Sequence, residues 1–215
     1  MEKVFTISSV GNVSDSLYGA PYTKENYVLL TDKIIEIMKE IINENKAEFK
    51  KFNFLYGGGF GSDHVFYMAI CKLREHLPDE YSDLEFTVSI LYPFQNFKKR
   101  SSASIRKIVA EMAEYADEVE YLYHRPFKSL ADVIERDKEL CNRADAVIAV
   151  LNPFNTFAGG YRAIQLSKSK GMKIYIINPN DFKDLEVTSP KGKKGGKSYG
   201  FKALNKYWKT DPGEL

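Results

Sequence analysis

Cysteine, tryptophan and histidine are scarce in this chain, with two, one and three copies among 215 residues. Cys71 and Cys141 lie far apart, without C-x-x-C spacing and on the apolar faces of helical patterns. They read as small core residues of a reducing compartment and exclude a disulfide framework or a metal pair. His64, His76 and His124 have no metal-ligand spacing either, so they read as packing or surface residues and no metal is expected. No apolar run approaches the length of a membrane span. Met1 to Ile7 opens directly on a strand pattern without a signal-peptide apolar region, which predicts a cytoplasmic protein with no membrane partner. A surplus of one charge is missing as well: 31 Lys and Arg against 29 Asp and Glu leave +2, which points to no large nucleic-acid surface. Two nucleotide signatures are absent. No G-x-x-x-x-G-K-[ST] loop occurs, which sets aside kinase and NTPase readings, and no G-x-G-x-x-G follows the first strand, which disfavours NAD or FAD.

What is present is an ordinary globular composition, 44% hydrophobic and 28% charged, in a chain long enough for one α/β domain with appendages. Short apolar strand patterns alternate with helical ones. Strands are expected at Val4 to Ser8, Phe52 to Tyr56, Leu84 to Leu91, Val119 to Tyr123, Ala146 to Leu151 and Lys173 to Ile177. The fifth is apolar at every position, as a central parallel strand covered on both faces should be. Between them, apolar residues at helical spacing include Leu30, Ile34, Met38 and Ile41, then Val65, Phe66, Ala69 and Leu73, then Ile105, Ile108 and Met112. Ser101 or Ser102 is placed to cap the third of these helices. Ser129 with Asp132 forms a capping-box start for a fourth, bearing Leu130, Val133, Ile134 and Leu140. Six alternations argue for right-handed βαβ units in a doubly wound, Rossmann-like, mostly parallel sheet of six or seven strands flanked by helices. The expected domain is 1–180, with 181–215 as a C-terminal extension: a basic Gly/Lys-rich loop, Pro190 to Gly200, and a short terminal helix near Phe201 to Trp208.

In such a sheet ligands bind at the carboxyl ends of the strands. The loops expected there are rich in Gly, Ser, Asn and Pro. After the second strand, Gly57, Gly58, Gly59 and Gly61 fall within five positions and run into Ser62 and Asp63 at a helix start. Without Cβ atoms, backbone N–H groups can approach a ligand closely beside the positive end of the helix, so the turn reads as a phosphate cradle that needs no lysine. The plainer alternative is a glycine-rich βα turn without a ligand. A second turn, Phe157 to Arg162 with Gly159 and Gly160, opens a helix after the fifth strand and Asn152. Ser8 and Ser9 close the first strand, and Pro93 and Phe94 lie in the loop expected after the third. Asp63 either caps its own helix or accepts ribose hydroxyls, and the two are compatible. Arg162 pairs with a phosphate or is a plain helix arginine; Tyr161 and Phe94 stack on a base or plug a core edge.

These segments together resemble the YpsA-like branch of the SLOG superfamily. The residues are Gly57 to Asp63, Tyr92-Pro93-Phe94-Gln95, Ala116-Asp117-Glu118-Val119, Arg136-Asp137 and Asn142 to Val150 before Gly159-Gly160, in that order. The resemblance implies a Rossmann-like sheet whose two glycine turns lie side by side and hold a nucleotide or a nucleotide-derived ligand. Relatives include phosphoribohydrolases of the Lonely Guy type, DNA-uptake proteins and sensors of cyclic ADP-ribose-like signals. Hydrolytic relatives open the last helix with Gly-Thr and place a glutamate one turn in. Here Tyr161 follows Gly160, and Ala163, Ile164 and Gln165 stand one turn on, none of them a nucleophile or general base. The first loop, Ser8-Ser9-Val10-Gly11, also lacks the Thr-Gly-His-Arg-like signature of such relatives.

The expected function is therefore non-catalytic: sensing or sequestering a nucleotide-like small molecule such as ADP-ribose or a cyclic ADP-ribose-like signal. No catalytic residue, cofactor or metal is assigned. The residues expected to hold the ligand are Ser8, Ser9, Gly57, Gly58, Gly59, Gly61, Ser62, Asp63, Pro93, Phe94, Asn152, Gly159, Gly160, Tyr161 and Arg162. A nucleotide N-ribohydrolase or deoxyribosyltransferase-like enzyme using Asp63 is the alternative, and a protein-interaction module with a relic site is a third. Open α/β sheets of this size commonly pair, so a homo-oligomer is expected.

Overall fold

The structure is a computed structural model that describes residues 3–11, 24–100, 102–151 and 159–179. Strands and helices alternate along the chain: β1 (Val4–Gly11), α1 (Lys24–Asn45), β2 (Lys51–Tyr56), α2 (Ser62–Glu75), β3 (Glu85–Phe94), α3 (Ala103–Tyr115), β4 (Glu118–Tyr123), α4 (Leu130–Arg143), β5 (Ala146–Val150), α5 (Gly159–Ser169) and β6 (Lys173–Ile177). The six strands form one sheet in the order β4-β3-β2-β1-β5-β6, and every described pairing is parallel. The fold is thus α/β and Rossmann-like. The chain winds outward from β1 to β4 and then returns to lay β5 on the other side of β1. The strand order reverses there, and at such a point the loops of neighbouring strands diverge and leave a crevice at the carboxyl edge.

The period of two along each strand sorts the core onto the two faces. Phe5 and Ile7 of β1, Phe52, Phe54 and Tyr56 of β2, Val88, Ile90 and Tyr92 of β3, and Ile148 and Val150 of β5 pack with residues of α1, α2 and α3. The opposite face divides in two. Val10, Val147 and Ala149 meet Cys141 of α4 and Ala163 and Ile164 of α5, while Leu55 and Leu91 meet Leu140 of α4. Burying each large apolar side chain stabilises the fold by about 1.5–3 kcal/mol, so the stacked rings of Phe52, Phe54 and Phe86 are a large share of the first core. β5 is buried at all five positions, as expected of a central strand.

Several elements differ from the sequence expectation. β1 continues through Gly11 because Val10 and Gly11 pair with Ala149 and Val150, so Ser8 and Ser9 lie inside the sheet, both fully buried. β3 runs through Phe94, so Tyr92-Pro93-Phe94 is strand and not loop. Pairing with β2 ends at Ile90, and Pro93, which has no N–H to give, falls where β3 has a partner only on the β4 side. Cys71 is half-buried and not a core residue, whereas Cys141 is buried. Ser102 accepts from the Ile105 N–H at 3.5 Å at the start of α3, and Asp132 accepts from the Lys128 and Ser129 N–H groups at 2.9 and 3.4 Å. Leu130 is 74% exposed; α4 instead buries Asp132, Arg136, Leu140 and Cys141. The irregular stretch around 17–22, the basic loop 190–200 and the terminal helix expected near 201–208 lie outside the described residues. Among the described residues no helix is long and apolar enough to cross a membrane, and no group of His, Cys, Asp and Glu is placed to hold a metal.

Candidate functional site

The turn between β2 and α2 is shaped by what packs into it. Gly58 has φ 65° and Gly61 φ 118°, conformations that a side chain resists. A Cβ on Gly58 would also come within 2.6 Å of Tyr92 Cε1. Gly57 has an ordinary φ but no room, since a Cβ there would overlap the guanidinium of Arg136. Gly59 differs from all three: its φ is unexceptional, and an added Cβ would meet only Asp63 Oδ2 at 3.2 Å and Phe97 Cζ at 3.9 Å. Internal packing therefore accounts for glycine at 57 and 58, and backbone conformation for glycine at 58 and 61. Only Gly59 is open.

Arg136 reaches this turn from α4, on the far face of the sheet. Its Nη1 donates to the Gly57 carbonyl oxygen at 2.6 Å, its Nε donates to Asp137 Oδ1 at 2.8 Å, and Nη1 stands 4.0 Å from Asp63 Oδ2. Arg136 and Asp63 are both nine-tenths buried. An ion pair so placed contributes little net stability, because desolvation of both charges offsets their attraction, but losing one partner strands the other. Asp63 is the second residue of α2, yet its Oδ2 turns back to accept the Gly59 N–H at 2.9 Å. Burial pushes its carboxyl above the ordinary 3.8; Arg136 and the N–H groups of Gly59 and Gly57 pull the other way without cancelling that effect. The group seated at this helix N-terminus is thus the chain's own carboxyl. A phosphate approaching the Gly59 N–H would meet that carboxyl first.

His64 follows Asp63 and is buried among the rings of Tyr27, Phe60 and Tyr67, at centroid distances of 6.0, 5.4 and 6.2 Å. Burial lowers its pKa to about 3, so it is a neutral packing residue at physiological pH, as its isolation in sequence implies. On the other side of the turn, the short 3-10 turn Phe97–Arg100 leans against the same structure. Phe97 packs on Tyr92 at 5.4 Å and on Phe94 at 5.5 Å, and Lys98 Nζ lies 5.3 Å from the centre of the Tyr92 ring.

The structure brings together Gly57, Gly58, Gly59, Gly61, Ser62 and Asp63, and sets Gly11 at the end of β1 against Ser62, where a Cβ would come within 2.7 Å of Ser62 Oγ. Gly159 and Gly160 are the first two residues of α5, which follows β5 across the reversal from β1. Arg162 is exposed on that helix. Ser8 and Ser9 keep hydroxyls that are buried without a hydrogen-bond partner among the described residues, as does Tyr56. Ser8 and Ser9 are successive strand residues and face opposite sides of the sheet, so one ligand does not reach both from one face. Of the two expectations for Phe94, stacking on a base or plugging a core edge, the structure shows the second: it is 2% exposed between Phe97 and Phe127. Asn152 and the side chain of Tyr161 lie outside what the structure describes. Sequence reasoning noted Arg136-Asp137 only as part of the family pattern. Its signal was the spacing 132, 136, 140, which puts two charged residues on the buried stripe of α4. For Phe97 and Lys98 there was no such signal.

No curated protein matches the chain. A family model described as the YspA SLOG family, named YpsA, matches residues 24–185, which include the glycine turn, Asp63, Arg136 and the start of α5. With that match over well over half its length, and a parallel Rossmann-like sheet that reverses beside its two glycine-led helices, the chain belongs to the YpsA SLOG family.

Proposed function

We propose that the protein binds a nucleotide-derived ligand of the ADP-ribose or cyclic ADP-ribose type at the carboxyl edge of its sheet, without transforming it. Family membership supports a nucleotide-related role. The observation that carries the reading further is Asp63, a buried carboxyl held on the Gly59 N–H although burial disfavours its charge. A carboxylate is an acceptor only, and ribose hydroxyls are donors that fit it. Gly159 and Gly160 at the start of α5 stand across the reversal in strand order, where a ligand of two nucleotide-like halves would extend. Against catalysis, Ala163 and Ile164, one turn into α5, are apolar and buried, and Asp63 is already engaged by Gly59.

Calorimetry of the full chain against mononucleotides, ADP-ribose and cyclic ADP-ribose isomers tests this reading. Binding is expected, and Gly59→Ala should weaken it at least tenfold, since the added methyl fills the notch and presses on Asp63 Oδ2, which must give by a few tenths of an ångström. Absence of binding across the panel, or unchanged binding by Gly59→Ala, would refute the reading. The raised pKa of Asp63 favours one competing reading, an N-ribohydrolase with Asp63 as proton donor. Base release from AMP, followed by chromatography and lost in Asp63→Asn, would establish it in place of simple binding.

A further inference from the structure

We infer that the anionic end of this ligand is held by Lys98 on the Phe97–Arg100 turn, and that the glycine turn receives the neutral sugar. The inference rests on the nucleotide-binding reading above and assigns the ligand's parts to opposite sides of one notch.

Three observations lead there. The seat that a phosphate would take at the N-terminus of α2 is filled by Asp63, whose Oδ2 accepts the Gly59 N–H at 2.9 Å. A phosphate entering it would have to take the Gly59 N–H from that carboxyl, with desolvation added. Arg136 does not offset this, because its guanidinium is buried and committed to the Gly57 carbonyl and to Asp137. The notch itself is narrow and two-sided: from the open position at Gly59, Asp63 Oδ2 is 3.2 Å away and the edge of Phe97 3.9 Å away. A carboxylate on one wall and an aromatic edge on the other suit a sugar, with its hydroxyls on Asp63 and its carbon face on Phe97.

Lys98 then follows Phe97 in the chain, half-buried, with its ammonium over the ring of Tyr92. Gly58 packs on that same ring, so Lys98 and the glycine turn share a support. Lys98 makes no ion pair among the described residues, while Lys46, Lys50, Lys51 and Lys72 are each paired with a carboxylate. A lysine held on an aromatic ring without a carboxylate keeps its charge available to an incoming anion. The stretch thus supplies the lysine that the glycine turn lacks, and supplies it from the loop after the next strand.

The test uses ADP-ribose, AMP and adenosine as probes in calorimetry on the full chain, with Lys98→Gln, Lys98→Arg, Lys99→Gln and Arg162→Gln. Lys98→Gln should lose at least tenfold in affinity for ADP-ribose and AMP, keep its adenosine affinity within twofold, and lose most of the salt dependence of AMP binding. Lys98→Arg should restore most of the loss, and Lys99→Gln should behave as wild type. Equal melting temperatures show that the fold is intact. If Lys98→Gln keeps the preference for AMP over adenosine, or if Arg162→Gln is the variant that loses it, the assignment to Lys98 is overturned and the nucleotide reading stands. If the wild type binds none of the three probes, both fall.

Discussion

The lock between Arg136 and Gly57 can be tested by a double-mutant cycle. Arg136→Ala removes a charge-assisted hydrogen bond to the Gly57 carbonyl, worth about 1.5–3 kcal/mol, and leaves Asp63 buried with only backbone donors. Breaking a buried charge pair from one side costs about 3–5 kcal/mol, and the 4.0 Å separation from Asp63 places this case toward the lower figure. Gly57→Ala should cost a similar amount, because its methyl occupies the space of the guanidinium and expels Arg136. In the Arg136→Ala background that conflict is gone. Only Asp63 Oδ2, 2.9 Å from the new Cβ, still has to move, for about 1 kcal/mol. The double mutant should then be about 2–3 kcal/mol more stable than the sum of the single effects predicts, a coupling at the top of the usual range for contacting residues. Urea unfolding followed by circular dichroism measures all four corners. Additivity within about 0.5 kcal/mol would show that glycine at 57 is required by something other than Arg136.

Gly58 and Gly171 share a left-handed backbone, φ 65° and 68°, but a Cβ on Gly171 meets nothing within 4 Å. Gly171→Ala should therefore cost about 1 kcal/mol from the backbone alone, and Gly58→Ala about 2–4 kcal/mol because Tyr92 must also shift; equal melting-temperature losses would contradict the packing argument. Asp63 has a folded pKa above its unfolded value of 3.8, so the folded state holds its proton more tightly and stability falls as pH rises through the interval between the two. Asp63→Asn should accordingly flatten the stability profile across that interval, on top of a pH-independent loss from the partner taken from Arg136; an unchanged slope would sink this account. His64 has the opposite sign. Its folded pKa, about 3, lies below the unfolded 6.5, so its contribution is present above pH 6.5 and is lost as pH falls toward 3. His64→Phe should flatten the stability profile across that window, and an unchanged slope would show that the imidazole is not buried neutral.

Much of the fold was legible because each strand carries its burial in its own pattern. Ala146 to Val150 is apolar throughout and is the strand covered on both faces, and the helix bearing Leu30, Ile34 and Met38 buries all three. Boundaries were less legible where pairing decides them. Ser9 and Gly11 are strand residues because β5 offers partners, and Phe94 is strand because β4 does. The glycine turn, Asp63 and the start of α5 were placed correctly by local composition, since a run of glycines before a helical pattern marks a βα turn in any context.

The sequence by itself determined the α/β class, the alternation that makes the sheet parallel, and the glycine turn between the second strand and its helix, because periodicity and glycine content are local properties of the backbone. Only the tertiary structure decided how that segment is used. Arg136 is 79 residues from Gly57 along the chain, yet its guanidinium fills the turn and makes glycine obligatory there. Asp63 takes the Gly59 N–H of the turn, and the Tyr92 ring on which Gly58 packs also carries Lys98, because β3 pairs with β2. Charge and free volume at a site depend on groups brought together through space, and no spacing along the chain encodes them.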